Sequence, residues 1–170
     1  RNSTKVYAVG IYGFPHGFNG TDSFSNYERS EAAAYADGKS LLIDLNTDTS
    51  VSVNAAMQPA VLYAMPTKGQ RVTLSGTGSL TGDMDLWKSQ QGTLVANVPL
   101  DYTGTTYISE GTLEVNGEIK GDVNLRARGT LSGKAIVNAI SFEGALNYEG
   151  CRLMPTEQIT FKQGLKLDRK

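Results

Sequence analysis

The chain has 170 residues, enough for one domain with a sizeable core, and 16 Lys and Arg against 17 Asp and Glu leave a formal charge of −1. That balance argues against the clustered basic face that nucleic acid requires, and no apolar run approaches the roughly 18 residues of a membrane helix. The single cysteine, Cys151, excludes an internal disulfide, and with only one histidine in the chain it leaves too few ligands for zinc.

The chain begins at Arg1 with no methionine, basic n-region or apolar h-region, the pattern of a processed piece or of a segment cut from something longer. Residues 1–38 read as irregular and hold most of the Phe and Tyr. Within them, VYAVGIYGF at 6–14 is apolar and low in charge. It predicts an exposed strand edge through which copies associate. Tyr27 to Ala36 (YERSEAAAYA) is the one segment that predicts helix, being Ala-rich and closed by Asp37-Gly38.

From Lys39 onward, short alternating segments follow one another: LLIDL, VSVNA, RVTLSG, MDLW, TLVANVPL, TLEVNG, DVNLRA, ISFEGALNY and ITFKQGLKL. Alternation at period two marks half-buried strands, and each segment is closed by Gly, Asn-Gly or Ser-Gly. Gly-x-Leu recurs at Gly78, Gly92, Gly111, Gly129 and Gly144. A sandwich of hairpins gives turn signals at closer intervals, but no fixed tripeptide that returns at so long a period. A coil of three short strands and tight corners consumes roughly 18 to 22 residues, which suits this return. The spacing therefore predicts an all-β fold: a single-stranded right-handed parallel β-helix of about six coils over 39–170, in one domain with residues 1–38. Leu113, Val115, Ile119, Val123, Leu125 and Leu131 should point inward, with Leu113 under Leu131 and Ile119 near Val137. Glu114, Glu118, Lys120, Asp122, Arg126 and Arg128 should point outward. Cys151 reads as a small buried hydrophobe. Lys162 and Lys166, near the end of the last strand pair, are residues that discourage edge pairing.

Tyr102 to Leu113 reads YTGTTYISEGTL. This resembles the autotransporter-associated β-strand repeat, whose pattern runs approximately Y-T-G-G-T-T-I-S-A-G-T-L. Tyr102, Thr103, Gly104, Thr106, Ile108, Ser109, Gly111, Thr112 and Leu113 match, while Thr105, Tyr107 and Glu110 depart. The closing GALNYEGCRLMPTEQITFKQGLKL is similar to the family's ending, except that Pro155 is followed by Thr156 instead of Gly. The resemblance covers about 94–167. It implies a β-helical passenger or stalk module of a secreted or cell-surface bacterial protein, in some cases accessory to a subtilisin-like serine protease domain. Its partners would be the rest of the parent polypeptide and a host surface or glycan. The motif carries no chemistry.

No constellation for catalysis stands out. His16, in GFPHGFNG, has no Gly-x-Ser-x-Gly elbow to serve and reads as a loop residue. Asp44, Asn46 and Asp48 open like a calcium loop, but Thr49 and Ala55 stand where Gly and a bidentate acid are needed. Asn2 and Asn19 begin glycosylation sequons, without weight in a bacterial protein. Asp83 and Asp85 lie two apart beside Trp87, as a carboxylate pair on one strand face that could hold or cleave an acidic polysaccharide. The sequence thus assigns no catalytic, cofactor-binding or metal-binding residue.

Overall fold

The computed structural model describes residues 6–8, 23–26, 32–34, 37–38, 40–43, 48–146 and 150–163. Short strands, numbered in chain order, build three parallel walls, and among the described residues there is no helix. The first wall holds β4 (Ser40–Ile43), β7 (Val61–Ala64), β10 (Asp85–Lys88), β12 (Thr106–Ile108), β15 (Val123–Arg126) and β18 (Ile140–Glu143). The second holds β5 (Thr49–Ser52), β8 (Arg71–Ser75), β11 (Thr93–Ala96), β13 (Gly111–Val115), β16 (Gly129–Gly133) and β19 (Arg152–Pro155). The third holds β6 (Ala56–Met57) and β9 (Ser79–Leu80), then β14 (Glu118–Ile119), β17 (Ile136–Val137) and β20 (Thr160–Phe161), joined through bridges at Leu100. The chain visits first, second and third wall in turn, so six coils stack as a parallel β-helix.

Register puts like residues over like. Leu94, Leu113 and Leu131 form one inward column, and Val72 and Leu153 extend it. Ile119 lies beside Val137. Leu113, Val115, Ile119, Val123, Leu125 and Leu131 are at most 1% exposed. The outward charges are half-buried (Glu114, Arg126) or exposed (Glu118, Lys120, Asp122, Arg128). Only the Gly-x-Leu tripeptides at Gly92, Gly111 and Gly129, which follow one another at nearly equal steps, share this column. Leu80 belongs to the third wall, and Leu146 sits at a corner, bridged to Cys151 and 38% exposed. In the last coil Ile140, Phe142, Leu153, Ile159 and Phe161 are only half-buried against the core.

Within residues 1–38 the described residues include three short strands. Strand β1 (Val6–Ala8) lies parallel on β4, and β2 (Ser23–Asn26) and β3 (Ala32–Ala34) follow it antiparallel. Of the predicted helix over Tyr27–Ala36, Ala32–Ala34 form a strand, and the other residues lie outside those described. Alanine favours helix only weakly, and an unpaired strand edge supplies main-chain partners that override the preference. The predicted sticky edge is also overturned at Val6–Ala8, because β4 and β2 occupy both of its sides. Residues 9–14, like Lys166, lie outside the described residues.

At the corners, successive coils approach so closely that a side chain has no room. A Cβ on Gly104 would overlap the Met84 carbonyl oxygen, whereas one on Gly117 would meet nothing within 4 Å. Gly104→Ala should therefore be severely destabilising and Gly117→Ala close to neutral in urea denaturation. In the same assay Leu113→Ala should cost about 2–5 kcal/mol and Leu113→Asp should abolish folding, while Glu114→Ala should cost under about 1 kcal/mol. Equal effects of Leu113→Asp and Glu114→Ala would contradict the assigned inward and outward faces.

Candidate functional site

Asp83, Asp85 and Trp87, the residues the sequence singles out, lie in and just before strand β10. Asp83 lies exposed in a turn before β10, with Met84 buried beside it. Asp85 opens the strand, and its Oδ1 accepts the Thr105 main-chain N–H at 2.8 Å. Asp83 thus precedes the strand that Asp85 opens, and the Asp85 carboxylate is engaged in holding the next coil.

Trp87 faces outward in a column that runs Tyr63, Trp87, Tyr107, Asn124, Ser141 up the first wall. Stacking of coils sets aromatic rings on one another: Trp87 and Tyr107 have centroids 3.9 Å apart and planes 12° from parallel. The Arg126 guanidinium lies 5.1 Å from the Trp87 centroid and 5.3 Å from that of Tyr107. It is held there by the Asn124 Oδ1 at 3.0 Å and the Glu143 carboxylate at 3.2 Å. Sugars stack on open ring faces. Here Trp87 and Tyr107 each give a face to the other.

The least expected residue of the wall is Lys88. Alternation in Asp85-Leu86-Trp87-Lys88 turns it inward, into the column Ala64, Lys88, Ile108, Leu125, and it is fully buried. Its Nζ donates to the main-chain oxygens of Ser89 (2.9 Å), Gln90 (2.8 Å) and Glu110 (2.8 Å). These three carbonyls belong to the corners of two successive coils, so the ammonium ties one coil to the next. The period-two pattern alone would have found Lys88, had a lysine been accepted at a core position. Similarly, Tyr102 is fully buried, and its phenol bonds the equally buried Thr106 hydroxyl at 2.5 Å.

The other sequence candidates fall into simpler places. His16, Asp44 and Asn46, with Asn2 and Asn19, lie outside the described residues. Asp48 is exposed, and its Oδ1 accepts the Arg71 N–H at 2.8 Å. Cys151 is buried as expected, and its thiol donates to the Leu125 carbonyl at 3.3 Å; burial pushes its pKa up. Among the described residues no three His, Cys, Asp or Glu side chains come together as metal ligands. No described helix is long and apolar enough to cross a membrane.

Comparison with family models, with curated proteins and with solved structures finds no match to this chain. The resemblance to the autotransporter-associated repeat rests on the residues quoted above.

Burial pulls the Lys88 ammonium down to about 8, with the Glu110 charge opposing. Between that value and the ordinary lysine value of 10.5 the unfolded chain holds the extra proton, so stability from this group rises with pH across the interval. Tyr102, whose phenol burial raises, acts in the opposite sense above its ordinary value of 10. That contribution cancels when wild type is compared with Lys88→Met. The stability difference between the two should move in favour of wild type as pH rises from about 8 toward 10.5. Parallel curves in denaturation at several pH values would mean the ammonium is not held in this cage.

Proposed function

We propose that the chain is a non-catalytic β-helical module, a passenger-type stalk, of a secreted or cell-surface bacterial protein. One observation carries the reading. The repeat-like residues within Tyr102 to Leu113 hold coils together. Tyr102, Thr106, Ile108 and Leu113 fill the core. Thr103 and Ser109 donate main-chain bonds to Gly82 and Lys88 of the preceding coil. Gly104 allows the close approach at its corner, and Gly111 takes the left-handed backbone (φ 71°) at another. Thr112 stands in the threonine column between Thr93 and Thr130. A motif spent in this way is a spacing code, and a spacing code builds a rod. Six coils at roughly 4.8 Å each give a rod of about 29 Å.

Such a module would serve as spacer, folding platform or display surface for the rest of the parent polypeptide. The resemblance allows a serine peptidase domain there, outside these residues. The rival reading, a polysaccharide-cleaving helix centred on Asp83, Asp85 and Trp87, is weakened by the engagement of Asp85 and by the closed Trp87–Tyr107 stack.

A spacer depends on length and tolerates insertion at its own period. Duplicating residues 111–128 in the parent protein should add one coil, leave surface display intact and lengthen the rod by about 4.8 Å in small-angle scattering. The isolated chain should release no product from a panel of acidic polysaccharides. Turnover of any of them, abolished by Asp83→Asn, would overturn the proposal.

A further inference from the structure

The corner between the first and second walls carries features that stacking alone does not require. Gln90 (φ 63°) and Arg128 (φ 72°) are the only non-glycine residues in the left-handed region among those described. Gly111 occupies the same corner in the coil between them, with φ 71°. Glycine adopts that backbone freely, so the corner could be built without strain at every level. Strained backbone of this kind clusters where a side chain must be presented in a fixed direction.

Beside this corner opens a depression of about 280 Å³, lined by Lys68, Gln91, Glu110, Thr112, Arg128 and Arg152. These side chains come from five successive coils, so the depression is a groove running along the axis of the solenoid. Gly111 also lines it, and a Cβ there would run into the Gln90 carbonyl oxygen. From inside, Lys88 Nζ grips the carbonyls of Gln90 and Glu110 and braces the corner. The site is thus built on a rigid element.

Its chemistry is polar throughout. No apolar side chain lines it. Lys68, Arg128 and Arg152 only donate, Glu110 only accepts, and Gln91 and Thr112 do both. Arg128 Nη1 approaches Glu110 Oε2 at 3.7 Å, a loose contact that leaves the guanidinium with donors to spare, and its side chain is 76% exposed. A bare inorganic anion would use the cations and be repelled by Glu110. A ligand with both an anionic group and hydroxyl donors would satisfy the whole set. Glu110 is also one of the three positions at which Tyr102 to Leu113 departs from the repeat pattern.

We propose that this groove binds an acidic sugar unit of a polysaccharide. Its carboxylate or sulfate would rest on Arg128, Arg152 and Lys68, and its hydroxyls would bond Glu110, Gln91 and Thr112. The proposal goes beyond the stalk reading, which stands if the groove proves empty.

The test is calorimetric titration of the full chain with tetragalacturonate, a sulfated heparin tetrasaccharide and the neutral cellotetraose. One-to-one binding of at least one acidic probe is expected, and none of the neutral one. The two acidic arms tell carboxylate from sulfate recognition. Arg128→Gln and Lys68→Gln should each weaken binding about tenfold, the loss of one charge-assisted contact. Arg71→Gln, the same charge change outside the groove, should leave binding unchanged. Lys68 is exposed in a turn, so that variant keeps the question open to measurement if Arg128→Gln fails to fold. Absence of binding to both acidic probes, equal binding of cellotetraose, or equal weakening by Arg71→Gln would each overturn the assignment.

Discussion

Everything in this molecule depends on the main-chain hydrogen bonds between one coil and the next. A parallel ladder in fixed register sets each residue about 4.8 Å from its equivalent in the following coil, so a column must be chemically compatible along its whole length. Leu94, Leu113 and Leu131 satisfy that demand in the core, and Thr93, Thr112 and Thr130 satisfy it outside. Where the chain bends and the ladder is interrupted, side chains take over. Asp37, Asp48, Asn54, Asp85 and Asn116 each accept a main-chain N–H from a residue one coil later. Lys88 is the inverse device, one ammonium giving its three N–H donors to three carbonyls. Buried main-chain groups left without partners would each cost about 1–3 kcal/mol, which explains why acceptors recur at the corners.

The same constraint decides what could be read from the sequence. The tripeptides at Gly92, Gly111 and Gly129 were legible because the coils there are regular, with Leu94, Leu113 and Leu131 in line at nearly equal steps. The coils from Val72 to Leu94 and from Leu131 to Leu153 are longer, and no Gly-x-Leu marks the column at its outer ends. The tripeptides at Gly78 and Gly144 match the pattern but belong to other corners, so period alone cannot assign a wall. The Ala-rich segment around Ala32–Ala34 misled for a different reason: its pairing with β2 is set by a neighbour that no local pattern reports. Of the candidate sites, Asp83 and Asp85 were legible as a spacing, but the bond that Asp85 accepts from Thr105 in the next coil was not. The groove at Arg128 and Arg152 could not be seen at all. Its members lie as far apart as Lys68 and Arg152 in sequence and meet only once the coils are stacked.

Inward positions are therefore fixed by stacking, and outward positions, with some at the corners, are free to carry anything further. Two outward features use that freedom. The Trp87–Tyr107–Arg126 cluster closes on itself and stiffens the first wall. The Arg71–Glu114 pair, 3.3 Å across, reaches over the second wall, and Val95 between them is 3% exposed although it faces outward. The basic groove differs from both, because its cations outnumber its single carboxylate.

The register of coil on coil is tested most directly by disulfide trapping. Glu114 and Ser132 are paired across β13 and β16, and Met154 lies one coil further. Glu114→Cys with Ser132→Cys places two α-carbons about 4.8 Å apart, within the range a disulfide spans. Mild oxidation should close that bond quantitatively in the folded chain, while Glu114→Cys with Met154→Cys, about twice as far apart, should stay reduced. Failure of the first pair, or equal closure of both, would contradict a parallel β-helix in this register.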